Sequence, residues 1–156
     1  MIIRRAEPCD LQGINELLRQ VLYVHHLGRP DIFRPSGKKY VDEELLRIIE
    51  DDSSPLFVAV DEDGKVLGHC FTIISEAKDH SSLMDAKTLY IDDLCVDENA
   101  RGMHIGRKLY DHAVEFAREI GCYNLTLNVW AENKSAMGFY EAMGLTVQKI
   151  GMEKIL

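Results

Sequence analysis

The sequence predicts a single α+β domain, and three observations carry that prediction. Apolar residues recur at helical spacing in four stretches, and alternate or run together over short lengths in seven others. The two kinds of stretch interleave in the order β-α-α-β-β-β-α-β-α-β-β, with turn residues at the joints. No linker, repeat or charge run divides the 156 residues, so residues 1–156 read as one unit, long enough to bury a sizeable core.

Taken in order, Ile2 to Arg5 is a short strand, and Asp10 stands where it can cap a helix that turns Leu11, Ile14, Leu17, Leu18, Val21 and Leu22 inward. Residues 25–40, broken by Gly28, Pro30, Pro35 and Gly37, read as a loop. A second helix runs from about Val41 to Glu50, and Ser53-Ser54-Pro55 ends it. Leu56–Val60 and Val66–Ser75 flank Asp61-Glu62-Asp63-Gly64 as the two strands of a hairpin. After a polar segment, Thr88–Val96 is an apolar strand. Ile105, Leu109, Ala113, Phe116 and Ile120 then mark one face of a third helix. Tyr123, Leu125, Leu127 and Val129 alternate with Asn124, Thr126 and Asn128, the pattern of a strand with one buried face. Asn133 caps a short helix that stops at Gly144, and Leu145–Ile150 and Met152–Leu156 are expected to complete the sheet.

Composition narrows the function classes. Hydrophobic residues at 46% and charged residues at 28% are ordinary for a folded protein. No apolar run reaches membrane-spanning length, and Met1-Ile2-Ile3-Arg4-Arg5 is too short for a secretory signal, so a cytoplasmic protein with no membrane partner is expected. The four cysteines are scattered without a Cys-x-x-Cys pair, and three lie in strand-like apolar runs, which suits reduced thiols. A net charge of -8 argues against nucleic acid as a partner. His25 and His26 are adjacent and their side chains diverge, so no metal site is expected.

The segment Val96-Asp97-Glu98-Asn99-Ala100-Arg101-Gly102-Met103-His104-Ile105-Gly106 carries the chemistry. It joins a strand to a helix start through a short loop with Arg and Gly. Unpaired N–H groups of a first helical turn point at an anion, the helix dipole adds favourable charge, and glycine permits close approach. This is a phosphate or pyrophosphate site, and it lacks the Gly-Lys-Ser/Thr ending of a Walker A loop.

Three segments resemble the GNAT superfamily of acetyl-CoA-dependent N-acetyltransferases, and together they cover essentially the whole chain. Arg101-Gly102-Met103-His104-Ile105-Gly106 is similar to its pyrophosphate loop, Gln/Arg-x-x-Gly-x-Gly/Ala, with His104 where the family usually has glycine. Asn133-Lys134-Ser135-Ala136-Met137-Gly138-Phe139-Tyr140-Glu141-Ala142-Met143-Gly144-Leu145 is similar to its Asn-x-x-Ala-x-x-Phe-Tyr-x-x-x-Gly-Phe segment. Ile3-Arg4-Arg5-Ala6 with Asp10-Leu11 is similar to its opening strand and helix cap. The resemblance implies a mostly antiparallel seven-stranded sheet with helices on both faces, and a fourth strand that splays from the fifth. It implies acetyl transfer from acetyl-CoA to a primary amine, by direct attack within a ternary complex. The acceptor is a small cationic amine or a protein or peptide amine, and a homodimer is compatible with this. A non-catalytic acyl-CoA-binding protein on the same fold is the alternative.

By the same resemblance, backbone groups of Leu94, Cys95 and Val96 pair with the cofactor. Arg101, Gly102, Met103, His104, Ile105, Gly106 and Arg107 hold the pyrophosphate. Asn128 and Asn133 are further cofactor contacts, Asn133 serving equally as a plain helix cap. Tyr140 matches the tyrosine that protonates the departing thiolate, against the reading of a core aromatic. Asp92 is the expected general base, with Glu76 and a water chain as rivals, and Asp93 should point to the opposite face of the strand. Tyr23, His26 and Phe33 lie where the family builds its acceptor wall.

Overall fold

The computed structural model describes residues 1–156. In chain order it forms β1 (Ile2–Arg5), α1 (Leu11–Gly28), α2 (Asp42–Glu50), β2 (Leu56–Val60), β3 (Val66–Ala77), β4 (Ala86–Val96), α3 (Ile105–Glu119), β5 (Asn124–Leu127) and α4 (Lys134–Ala142). Every residue of β2 is buried, as the unbroken apolar run Leu-Phe-Val-Ala-Val requires of a strand covered on both faces. Leu56, Val58 and Val60 face Ile14, Leu17 and Leu18 of α1 and Leu45 and Ile49 of α2. Phe57 and Ala59 face the opposite layer, where Ile105, Leu109, Ala113 and Ala117 of α3 close the core and Phe139 of α4 and Met143 at its C-cap flank it. Burying each large apolar side chain contributes about 1.5–3 kcal/mol, so these two layers hold the sheet between them.

The sheet has five strands in the order β1-β2-β3-β4-β5. The first three pairs are antiparallel, and β4 and β5 are parallel. β5 pairs only with Thr88–Ile91, whereas β4 stays paired to β3 as far as Val96. From Asp92 onward, the edge of β4 that faces β5 is therefore open. This is the splay the resemblance implied.

The sheet corrects the expectation of seven strands. Residues 145–156 form neither of the two final strands expected from their alternation, and no backbone group of residues 146–156 is hydrogen-bonded within the chain. Alternation reports a tendency to pair, but it names no partner. Two local expectations also change. α1 continues through His25 and His26 to Gly28, so the loop that follows begins at Arg29. Asp10 occupies the N-cap of α1 without a side-chain cap bond; its carboxylate instead accepts from Arg4 at 2.7 and 3.0 Å and from the Glu7 N–H at 2.8 Å.

Candidate active site

The segment expected to hold an anion lies where β4 hands over to α3. Gly102 lies at φ 81°, and His104, the residue before the helix, at φ 58° and ψ 20°. Histidine thus holds a left-handed conformation that glycine adopts freely and other residues adopt at a cost of about 1–2 kcal/mol. The first helical bond runs from the Lys108 N–H to the His104 carbonyl at 3.1 Å, which leaves the N–H groups of Ile105, Gly106 and Arg107 without a helical acceptor. Arg101, Gly102, Met103 and His104 are exposed around this terminus, and Arg107 pairs with Asp111 at 3.6 Å. A Cβ on Gly68 would sit 2.9 Å from both the Cys95 carbonyl oxygen and Leu109 Cδ1, so glycine in β3 lets α3 seat closely on the sheet. A Cβ on Gly106 would meet Val96 Cγ2 at 3.5 Å and the Phe139 ring at 3.7 Å. The helix start, the open end of β4 and the middle of α4 therefore converge. A pyrophosphate fits this donor set, with the open edge of Leu94, Cys95 and Val96 beside it. Cys95 turns its thiol to the other layer, toward the Leu17 carbonyl, and burial pushes that thiol up to about 12.

At the mouth of the splay stand two carboxylates. The β3–β4 register passes from Phe71 opposite Asp93 to Thr72 opposite Ile91, so Asp92 is the extra residue of a β-bulge. Strict alternation would have sent Asp92 and Asp93 to opposite faces. The bulge instead brings both to Lys39, whose Nζ lies 3.0 Å from Asp92 and 3.7 Å from Asp93. Lys39 also lies over the Tyr40 and Phe71 rings at 5.3 and 5.8 Å. Burial opposes its charge, and the two carboxylates outweigh burial and raise its pKa. The Asp93 side chain is 8% exposed, and His69 Nε2 stands 3.6 Å from it. That distance is too long for a hydrogen bond, and both nitrogens of the fully buried His69 ring lack a hydrogen-bond partner. Burial raises the Asp93 pKa, but His69, Lys39 and His25 together hold it below the usual carboxylate range. Glu76 pairs across the sheet with Lys87, four positions along β3 from the bulge, a separation of roughly 13 Å.

An aromatic wall adjoins the acid pair. Tyr23 stacks near His26 with centroids 6.4 Å apart, and His26 Nδ1 lies 2.8 Å from the Phe33 carbonyl oxygen. Phe33 stacks on His25 at 5.0 Å and meets Trp130 edge-on at 5.3 Å. The three residues expected from the sequence thus belong to one cluster, completed by His25 and Trp130. Burial lowers the His25 pKa, opposed by Asp93.

Tyr140 is half-buried on α4, against Phe139 at 5.2 Å. Burial, with Cys70 and Asp93 adding to it, pushes its hydroxyl above the ordinary tyrosine range, so it keeps its proton at neutral pH. Asn133 caps α4, accepting from the Ala136 N–H at 3.1 Å. Asn128 donates to the Tyr90 hydroxyl at 3.2 Å, bridging the end of β5 to β4.

The sequence reading missed Lys39, His69, His25 and Trp130. Two adjacent acids in an apolar strand required a counter-charge, which was a usable signal for a lysine without saying which one. A histidine inside the apolar run Val66–Ile74 was a second signal.

Comparison with known proteins agrees with this geometry. The sequence profile of the family described as acetyltransferase (GNAT) matches residues 21–145. Glucosamine 6-phosphate N-acetyltransferase of Arabidopsis thaliana is 27% identical over 97% of this chain and 94% of its own. Thialysine N-epsilon-acetyltransferase of Bos taurus is 27% identical over 92% of this chain and 83% of its own. The solved BH1408 protein of Bacillus halodurans is 31% identical and superposes with a TM-score of 0.95 over 100% of this chain and 99% of its own. The chain belongs to the GNAT family and is an acetyl-CoA-dependent N-acetyltransferase.

Proposed function

We propose that the protein acetylates the primary amine of a small cationic molecule by direct attack within a ternary complex, with Asp92 accepting a proton and Tyr140 donating one. The observation that carries this reading is the Asp92–Asp93 pair at the mouth of the splay, which already holds an ammonium group, that of Lys39, at 3.0 and 3.7 Å. An acceptor ammonium takes the same partners by displacing or sharing with Lys39.

Backbone N–H groups of Ile105, Gly106 and Arg107 hold the pyrophosphate, with Arg101 to His104 around it. The open edge of Leu94, Cys95 and Val96 aligns the rest of the cofactor, and Asn128 and Asn133 flank it. Bound acetyl-CoA supplies an acetyl thioester, whose C–S bond breaks as the acceptor's N–C bond forms. Asp92, the more exposed of the pair, takes the proton that the acceptor ammonium must lose before it can attack. Asp93, ionised and buried, keeps negative charge beneath the amine. Tyr140 gives its proton to the departing thiolate and regains one from the nitrogen, which loses its second proton as the amide forms. Tyr23, His26 and Phe33, with His25 and Trp130, pack against the apolar part of the acceptor.

Relatives named for thialysine and for glucosamine 6-phosphate support an amine on a small molecule, and the acid pair favours the cationic kind. A thiol-release assay with acetyl-CoA against polyamines, aminoglycosides, lysine analogues, glucosamine 6-phosphate, neutral amino acids and short peptides tests it. Cationic amines are expected to give the highest kcat/KM, falling with added salt. A preference for neutral or phosphorylated amines removes Asp92 and Asp93 from acceptor recognition.

A further inference from the structure

Lys39 is a primary amine that the fold seats where an acceptor is expected. The segment between α1 and α2 delivers it, and residues 29–41 contribute no helix or strand. Its Nζ lies 3.0 Å from Asp92 and 3.7 Å from Asp93. Those two acids stand between Ile91, the last residue of β4 that β5 pairs, and the open stretch from Leu94 to Val96. Leu94 is two residues, roughly 7 Å, along the strand from Asp92. The Tyr40 and Phe71 rings also flank the ammonium, and the lysine side chain is 37% exposed, so it is held without being enclosed.

The neighbouring lysine shares none of these partners. Lys38 is the more exposed of the two, at 47%, and pairs with Asp42 at 2.8 Å. Unassisted acetylation favours exposed amines that lose their proton readily. The two carboxylates raise the pKa of Lys39, which makes it the slower of the two toward an acylating reagent in solution. A base and an acetyl donor placed at one point reverse that order. Tethering decides the competition with free amines. A group on a short flexible segment is present at its site at an effective concentration in about the millimolar range. A free amine well below that level, without stronger contacts of its own, loses to Lys39.

We propose that Lys39 is a self-acetylation site: when no acceptor amine occupies the splay, the protein transfers one acetyl group from acetyl-CoA to its own Lys39 Nζ, and the acid pair loses its counter-charge. The Lys39 ammonium gives one proton to Asp92, and Nζ attacks the thioester carbonyl carbon. The Nζ–C bond forms and the C–S bond breaks. The nitrogen loses its second proton as the amide forms, the thiolate gains one through Tyr140, and the proton on Asp92 passes to solvent. The products are acetylated Lys39, the CoA thiol and one proton. This inference rests on the proposed reading of the splay as the acyl-transfer site, and goes beyond it in making the protein its own substrate.

The test is incubation of the unmodified full chain with deuterium-labelled acetyl-CoA and no amine, over a range of protein concentrations, followed by peptide mass spectrometry. Thiol release with the cationic amines is measured in parallel. Label is expected at Lys39 with a first-order rate constant independent of protein concentration, and roughly 100-fold faster than at Lys38, the lower end of a general base's usual contribution. Added cationic amine is expected to slow it. The labelled chain, separated from cofactor, is expected to melt at a lower temperature than the unmodified chain, because the acid pair is left uncompensated. Equal rates at Lys38 and Lys39 mean unassisted chemistry and overturn the inference. A rate constant that rises with protein concentration makes one copy the substrate of another and overturns it too, as does a labelled chain with an unchanged melting temperature. Amine turnover with Lys39 unlabelled overturns the inference and leaves the proposed function standing, whereas absence of both sinks both. Label on Lys39 without amine turnover upholds the inference and removes the small-molecule acceptor.

Discussion

Replacing Lys39 with methionine keeps the length and apolar stem of the side chain and removes the one ammonium that sits between Asp92 and Asp93. Its Nζ lies 3.0 Å from one carboxylate and 3.7 Å from the other, with side chains 37%, 30% and 8% exposed for Lys39, Asp92 and Asp93. An exposed pair is worth about 0–1 kcal/mol, and breaking a buried one costs about 3–5 kcal/mol. This site lies between, so the variant is expected to lose roughly 1–3 kcal/mol at neutral pH. The pH dependence separates a charge effect from lost packing. In the native protein the Asp93 pKa is depressed, so its contribution to stability is present above the ordinary carboxylate range and is lost as pH falls through the folded value. Without Lys39 one of the groups that offset burial is gone, so the Asp93 pKa rises from its native value, and the cost of the substitution is present at neutral pH and is relieved as pH falls. The gap between the two proteins should therefore narrow from pH 7 toward pH 4. His25, His69, Tyr40 and Tyr140 also face the pair and are common to both proteins, so the difference isolates Lys39. Urea denaturation across that range measures it. The acceptor KM for a cationic amine is expected to fall several-fold, because the tethered lysine no longer competes. A stability gap that stays constant with pH, together with an unchanged KM, would refute the electrostatic account of this cluster.

Three further outcomes follow from the site. Gly106→Asp has room for its Cβ, with Val96 Cγ2 at 3.5 Å, so the fold is expected to survive while a carboxylate faces the anion cradle; calorimetry should find CoA binding abolished at unchanged melting temperature. Tyr140→Phe keeps the ring against Phe139 and is expected to lower kcat by roughly 100-fold with a near-constant CoA dissociation constant, whereas normal turnover would leave Tyr140 as a packing residue. Asp92→Asn should shift the rate profile to higher pH, because the amine must then arrive already deprotonated; an unshifted profile would pass the role to Asp93 or to a water chain.

The loop and helix start proposed to hold the pyrophosphate were legible in the sequence as a structural element because they are local. Their N–H donors come from consecutive residues at a helix start, and Gly102 and Gly106 mark the turn without reference to the rest of the chain. The alternation of β5, the unbroken apolar run of β2 and the stripe along α3 likewise declared which faces would be buried, since period and partner layer are coupled. The acid pair was visible as residues but not as a site. Asp92 and Asp93 share a counter-charge only because the β3–β4 register skips a residue at Asp92, and because a loop 53 residues upstream of Asp92 delivers Lys39. The burial of His69 against Asp93 depends on the same pairing. The C-terminal arm is the clearest division between the two levels. Its sequence determined that residues 145–156 tend to pair as strand, because that tendency lies in the alternation of side chains. That tendency names no partner: the tertiary structure holds the arm away from its own sheet and leaves the edge of β5 open, because strand pairing requires a partner edge that no stretch of sequence specifies alone.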